Sequence, residues 1–155
     1  MKPLSAEKPQ ENSKSPQIRP ARRSDLPGLM EIERNSFSYA HWPPEGFLHY
    51  DCIVAEIEQK IVGFLVSRQT FPGNAQAPPE REILNLAVAP DFRRMGIATR
   101  LLRHELARGG VHFLEVRESN RPAQALYRKI GFIPVGRRPG YYQNPPETAI
   151  VMRMK

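Results

Sequence analysis

Residues 84–102 read LNLAVAPDFRRMGIATRLL, and this stretch decides the fold of the chain. An apolar strand runs into a Pro-Asp turn, and an arginine-rich loop that contains Gly96 then opens directly into a helix. This order directs a row of backbone N–H groups, together with the positive end of the helix dipole, toward one point. Such a point suits phosphate, so the stretch predicts a site for a phosphate-bearing cofactor.

The loop at residues 93–98 has the form R-x-x-G-x-A. Gly96 lets the backbone approach a ligand without a Cβ in the way, and Ala98 keeps the start of the helix slim. Pyrophosphate oxygens would accept hydrogen bonds from the N–H groups of about residues 94–99, and arginine charge would add to the attraction. The loop lacks both GK[ST] and G-x-G-x-x-G, which excludes a Walker loop and the dinucleotide fingerprint. A strand-to-helix turn with one glycine is common in proteins, so the loop motif indicates a phosphate site only together with the sequence around it.

A second stretch, LEVRESNRPAQALYRKIGF at residues 114–132, places the carboxylate of Glu115 inside an apolar strand. A carboxylate beside a reacting amine can take the proton that the amine loses, directly or through a water. An α-amine titrates near ~8 and a lysine near ~10.4, so the α-amine is far more often neutral and reactive at neutral pH. The residues alone equally allow a strand-end glutamate that points into solvent or pairs with Arg117.

Two further side chains in this stretch have a functional and a structural interpretation. Tyr127 lies at the edge of the apolar stripe of its helix, where its hydroxyl could protonate a departing thiolate or simply face water. Asn120 precedes the same helix, so it could cap the helix, contact a cofactor, or do both.

The length of 155 residues fits one domain with a sizeable core. The net charge is +7, and residues 1–23 carry six Lys or Arg and two Glu, which leaves +3 for the rest. Residues 1–17 are polar and rich in proline, so we expect a disordered basic tail there and one folded domain at 18–155. No secretory signal and no membrane-spanning run is visible, and the expected location is the cytoplasm.

Cysteine and histidine usage argues against a metal site. The single cysteine, Cys52, lies in the apolar run CIVAEI and is expected to be a buried structural thiol. The four histidines show no metal-ligand spacing. We therefore expect no metal.

The remaining pattern predicts strands and helices in mixed order. Short strands are expected from Ile18 and over residues 52–58, 60–67, 81–88, 112–116, 132–138 and 148–154, with a tight turn at 58–60 and loops at 71–80 and 139–147. Helices are expected after Ser24 or Asp25 and over about 44–50, 94–108 and 120–130. This order predicts an α+β fold with a mixed central sheet flanked by about four helices.

The segments LNLAVAPDFRRMGIATRLL, LEVRESN, ALYRKIGF and RRPGYY resemble the Gcn5-related N-acetyltransferase (GNAT) superfamily, and within it the RimI type of ribosomal-protein-alanine N-acetyltransferases. The resemblance covers most of the chain from Ile18 onward. It implies that the co-substrate is acetyl-CoA and that a pair of strands in the sheet splays apart.

Site residues follow from the resemblance position by position. It implies that Glu115 is the general base and Tyr127 the general acid, and that the Val88 N–H polarises the thioester carbonyl. The residues implied to bind acetyl-CoA are Leu86, Ala87, Val88, Arg94, Met95, Gly96, Ile97, Ala98, Thr99 and Asn120. The residues that could line a groove for the acceptor peptide are Arg137, Arg138, Tyr141 and Tyr142; an exposed strand end with packing tyrosines is an equal alternative.

The resemblance implies that the acceptor is the N-terminal alanine of a ribosomal protein, with no membrane partner and no direct reading of nucleic acid. A second possibility keeps acetyl-CoA and changes the acceptor to a lysine, a polyamine or a small amine. A third is a basic module that binds RNA or the ribosome without catalysis, although the interleaved basic and aromatic residues typical of such modules are missing. The oligomeric state is left open.

Overall fold

The computed structural model describes residues 15–37 and 42–155 and contains one seven-stranded sheet. The strands are β1 Gln17–Pro20, β2 Asp51–Ile57, β3 Lys60–Thr70, β4 Glu80–Val88, β5 Val111–Arg117, β6 Ile133–Gln143 and β7 Pro146–Met154. The α-helices are α1 Leu26–Ser36, α2 Pro44–His49, α3 Ile97–Leu106 and α4 Arg121–Ile130. The order across the sheet is β1-β2-β3-β4-β5-β7-β6, with β4 and β5 parallel and the other neighbours antiparallel. The predicted α+β class with a mixed sheet is confirmed.

Two apolar cores cover the two faces of the sheet. Because side chains alternate along a strand, Ile53 and Ala55 of β2 join the core that contains the α3 side chains Leu101 and Leu102. Their neighbours Cys52 and Val54 join the core formed with α1 and α2. Burial raises the pKa of the Cys52 thiol to about 12, in keeping with an inert thiol.

Strand β4 positions the site because it departs from regular pairing on both sides. Its register with β3 shifts so that Val66 pairs with Asn85 and Ser67 with Ile83, which makes Leu84 the extra residue of a β-bulge. Its parallel pairing with β5 ends at Ile83 opposite Leu114, although β4 runs on to Val88 and β5 to Arg117. The two strands therefore splay apart, as the resemblance implied, and a gap opens between them.

Two predicted boundaries differ from the structure. Helix α3 begins at Ile97, not near Arg94, because Gly96 and Arg94 both have positive φ, at 76° and 62°, which no helix accommodates. The predicted loop at 139–147 is wrong in its first half, since β6 continues to Gln143 and Tyr142 pairs with Glu147 of β7. An edge strand tolerates the Pro and Gly residues that suggested a loop, and a register shift between Arg138 and Tyr142 absorbs them.

Residues 1–14 of the predicted tail lie outside the described residues, so the disordered tail stays a prediction. Strand β1 begins at Gln17, one residue before the predicted start of the domain. In residues 15–37 and 42–155, none of the helices has the length and apolar character needed to span a bilayer.

Candidate active site

The first cavity, of about 610 Å³, lies at the mouth of α3. Gly96 occupies the N-cap position of α3, and a Cβ built there would meet nothing within 4 Å. A larger side chain at this position would occupy the space in front of the helix N-terminus, where N–H groups and the helix dipole favour a phosphate. The predicted cofactor residues that line this cavity are Leu86, Ala87, Val88, Arg94, Gly96, Ile97, Ala98, Thr99 and Asn120. Met95 is outside this lining and is 54% exposed.

The lining fits acetyl-CoA. Residues 86–88 of β4 lie beyond the last pair with β5, so the splay leaves backbone on that side for a ligand to bind. Residues 96–99 supply the N-terminal amides of α3, which suit the diphosphate of the co-substrate. We call this space the cofactor cavity.

The second cavity, of about 500 Å³, lies on the other side of the splay, and we call it the acceptor cavity. Its walls come from the end of α1, the residue Trp42 shortly before α2, strands β4 and β5, helix α4, and the end of β6 with the turn that follows it. Of the predicted site residues, Glu115, Tyr141 and Tyr142 line this cavity and not the cofactor cavity. Arg138 is outside the lining but contacts Glu115 directly.

The two cavities meet. They share the side chains Phe37, Leu86, Asn120, Ala123 and Tyr127 as lining residues. A group held in the cofactor cavity can therefore face a group held in the acceptor cavity across Tyr127. This is the geometry that transfer between two substrates requires.

Glu115 faces the acceptor cavity from β5 and is shielded from water. Its side chain is 12% exposed, and its Oε1 lies 3.4 Å from Nη1 of Arg138. Burial raises the pKa of Glu115, the carboxylate of Glu82 raises it further, and the guanidinium of Arg138 opposes both. A carboxylate whose pKa is raised binds a proton more readily, which suits proton abstraction from an amine. The alternative of a glutamate that points into solvent does not fit this burial.

Tyr127 projects from α4 into both cavities. Its ring packs edge-on against Phe132, with the ring centroids 5.9 Å apart. Burial raises the pKa of Tyr127 to about 12 because the phenolate form would be poorly solvated. The hydroxyl therefore stays protonated at neutral pH and is available as a hydrogen-bond donor.

Asn120 has the capping role that its position predicted. Its side chain accepts a hydrogen bond from the Ala123 N–H at 3.2 Å, and it is the N-cap of α4. It also lines both cavities, so capping holds its amide group at the place where they join.

An aromatic pair forms the outer wall of the acceptor cavity. The rings of Tyr141 and Tyr142 lie at right angles with their centroids 5.0 Å apart. The Arg117 guanidinium stacks over Tyr142 at 4.2 Å and also contacts Glu147 of β7 at 3.2 Å. The wall is thus held in place by a guanidinium of β5, which is itself fixed by a carboxylate of β7.

Several residues of the site were missed from sequence. Phe37 lies where the cavities join, and Trp42 lines the acceptor cavity; the backbone N–H of Trp42 donates to the buried carboxylate of Glu33 at 3.0 Å. Arg93, the first residue of the loop motif, donates to the Val88 carbonyl at 3.1 Å and to Ser36 Oγ at 3.3 Å, so it braces the end of β4 against α1. The aromatic residues in FSYAHW were the available signal.

Among residues 15–37 and 42–155, no group of three or more His, Cys, Asp or Glu side chains is arranged to hold a metal ion.

The chain is similar to known acetyltransferases over most of its length. The acetyltransferase (GNAT) family model matches residues 17–132. The N-alpha-acetyltransferase RimI of Mycobacterium tuberculosis is 37% identical over 142 residues, covering 84% of this chain and 87% of that protein. The ribosomal protein bS18-alanine N-acetyltransferase of Salmonella typhimurium is 31% identical over 143 residues, covering 84% and 91%. The crystal structure of the ribosomal-protein-S18-alanine N-acetyltransferase from Escherichia coli superposes with a TM-score of 0.76 at 28% identity, covering 90% of this chain and 92% of that one.

Proposed function

The chain belongs to the acetyltransferase (GNAT) family and is an acetyl-CoA-dependent N-acetyltransferase, and we propose that its acceptor is the N-terminal α-amine of a ribosomal protein that begins with alanine. One structural observation carries this proposal: the cofactor cavity and the acceptor cavity meet, with Glu115 in one and Tyr127 in both. The relatives align with most of this chain, and their names support the choice of acceptor.

The cofactor cavity would hold acetyl-CoA by backbone groups. The N-terminal amides of α3, at residues 96–99, would bind the diphosphate, and the backbone of residues 86–88 would bind the rest of the co-substrate. The Val88 N–H would polarise the thioester carbonyl, an interaction that stabilises developing negative charge on oxygen. Arg93 supports this arrangement because it fixes the Val88 carbonyl of the neighbouring peptide group.

Glu115 would serve as the general base. As the acceptor nitrogen bonds to the acetyl carbon, the carbon–sulfur bond breaks and the nitrogen loses a proton, which passes to Glu115 directly or through a water. An α-amine suits this site better than a lysine amine, because a larger fraction of it is neutral at physiological pH.

Tyr127 would serve as the general acid. Its hydroxyl stays protonated because burial raises its pKa to about 12, so it can donate to the departing sulfur. The protonated thiol then leaves as CoA, and the acetylated amine carries no charge.

The acceptor side favours a peptide chain over a compact amine. The acceptor cavity of about 500 Å³ is lined by the aromatic wall of Tyr141 and Tyr142 and also by Phe37 and Trp42. Such walls bind an extended chain by apolar contact while leaving its backbone free for hydrogen bonds. Polyamines and small amines would leave much of this wall uncovered.

The deciding experiment is acetyl transfer to a panel of peptides, read by mass spectrometry. We expect the acetyl group on the α-nitrogen of a peptide that begins with alanine, and no transfer to the same peptide with a blocked N-terminus and an internal lysine. Preferred transfer to lysine, a polyamine or a small amine would overturn the proposed acceptor. RNA binding that weakens steeply with salt and ignores acetyl-CoA would support the non-catalytic alternative.

A further inference from the structure

We propose that Glu82, held by Arg68, is a positioning residue for Glu115, so that an ion pair behind the acceptor cavity adjusts how readily the base takes up the amine proton. This inference rests on the proposed function, because it requires Glu115 to be the base.

The sheet places Glu82 and Glu115 next to each other. Glu82 of β4 pairs with Phe113 of β5, and Glu115 lies two residues beyond Phe113. Residues two apart on one strand point to the same face, and diagonal neighbours on adjacent strands lie within reach of long side chains. The opposite face holds Leu114 and Val116, which pack in the core with α3. Both carboxyl groups therefore lie on the face that carries α1 and α2.

Glu82 is held in place by a strong pair of hydrogen bonds. Arg68 of β3 lies directly opposite Glu82, and its Nε and Nη2 donate to Glu82 Oε2 at 2.8 and 2.6 Å. The Glu82 side chain is 18% exposed and the Arg68 side chain 46% exposed, so Glu82 is partly shielded from water and Arg68 reaches the surface. Glu82 does not line the acceptor cavity itself and would act through Glu115.

The charges around Glu115 come from β3, β4 and β6, which lie one or two positions away from β5 in the sheet. Glu82 raises the pKa of Glu115, whereas Arg138 and Arg68 lower it, and burial is the largest cause of the net rise. Strand β7 places the apolar Val151 opposite Glu115. The titratable and charged groups that face Glu115 are Arg68 on β3, Glu82 on β4, and Arg138, Tyr141 and Tyr142 on β6.

Opposite changes in charge give a test that a merely structural role would not pass. Glu82→Gln removes a negative charge beside Glu115, so Glu115 binds a proton less tightly. The acid limb of the kcat/KM profile therefore moves to lower pH. Arg68→Gln leaves Glu82 without this partner, so the acid limb moves to higher pH. At a fixed pH on the acid limb, we expect kcat/KM to be higher than in the wild type for Glu82→Gln and lower for Arg68→Gln. Each difference should be roughly threefold or more, the scale expected for a neighbouring charge.

The full-length enzyme is assayed with acetyl-CoA and an alanine peptide across pH, and Glu45→Gln is the matched control. Glu45 forms an exposed ion pair with Arg23 at 3.0 Å, away from both cavities. An acid limb that stays unmoved in both variants, or that moves in the same direction in both, would overturn the inference. Glu115→Gln separates this failure from failure of the proposed function. If Glu115→Gln is inactive while the acid limb is unmoved in the Glu82 and Arg68 variants, only the role of the Arg68–Glu82 pair is contradicted. If Glu115→Gln is fully active, Glu115 is not the base.

Discussion

Oε1 of Glu115 lies 3.4 Å from Nη1 of Arg138, which joins a shielded carboxylate on β5 to a guanidinium on β6 that is 58% exposed. The contact crosses β7, which lies between the two strands in the sheet. Burial and the Glu82 carboxylate raise the pKa of Glu115, and Arg138 limits the rise. Arg138 therefore partly offsets the rise that burial and Glu82 cause.

Replacing Glu115 by glutamine removes the proton acceptor and keeps its shape. We expect kcat to fall roughly 10²-fold or more, the scale for a lost general base. Affinity for acetyl-CoA, measured by calorimetry, should stay the same because Glu115 lies in the acceptor cavity only. Turnover that is unchanged across pH would remove Glu115 from this role.

Replacing Tyr127 by phenylalanine removes only the hydroxyl group. We expect kcat to fall roughly 10- to 100-fold because the departing sulfur loses its donor. The wild-type profile should show no alkaline loss near neutral pH, since the pKa of Tyr127 is about 12. Steady-state kinetics from pH 6 to 10 tests both statements, and equal kcat in the two proteins would contradict the assignment.

Gly96 and Gly109 form a matched pair for testing the cofactor cavity. Both have positive φ, at 76° and 78°, and a Cβ at either would meet nothing within 4 Å, so a glutamate would be similarly strained at the two positions. We expect Gly96→Glu to abolish acetyl-CoA binding, because its carboxylate would fill the phosphate site. Calorimetry with Gly109→Glu should show ordinary binding. Normal binding by the Gly96 variant would mean that the loop is only structural.

The buried pair Arg81–Glu105 should dominate the electrostatic part of the stability. Nε of Arg81 lies 2.6 Å from Oε1 of Glu105, and their side chains are 7% and 1% exposed. Glu105→Ala would leave the buried guanidinium with only part of its partners and should cost about 3 kcal/mol in the free energy of unfolding. Urea denaturation measures this, with Glu45→Ala at the exposed pair as a control that should cost less than about 1 kcal/mol.

His112 should make stability depend on pH. Burial lowers the pKa of His112, and its Nε2 has no hydrogen-bond partner in the described part of the chain. His112 therefore binds a proton more readily in the unfolded chain than in the folded chain. Its contribution to the free energy of unfolding is complete above about pH 6.5 and declines as pH falls toward the folded pKa. His112→Leu should flatten the fall of the unfolding free energy between pH 7 and 5, whereas substitution of the exposed His104 by Gln should not. An equal slope in all three proteins would contradict this.

Local features of the site were predictable from sequence because they depend on residues close together in the chain. Gly96 at the mouth of α3, Asn120 as the N-cap of α4 and the turn after β2 follow from backbone preferences that act over a few residues. The family resemblance then supplied candidate roles for Glu115 and Tyr127.

Contacts between distant segments were decided by the tertiary structure. The loop predicted at 139–147 became the end of β6 and the beginning of β7, because pairing of Tyr142 with Glu147 outweighs the local preference of Pro and Gly for turns. Arg93 lies in the motif, yet its side chain reaches Val88 and Ser36, which no spacing indicates.

The chain by itself determined that a phosphate-binding helix mouth would exist and that a carboxylate would interrupt the neighbouring strand. Only the register of β4 against β3 and β5 decided that Glu82 would lie beside that carboxylate and that two cavities would join at Tyr127. The physical reason is that a strand carries its side chains to alternate faces, so one bulge at Leu84 changes which side chains meet, and a bulge arises from pairing between strands rather than from either strand alone.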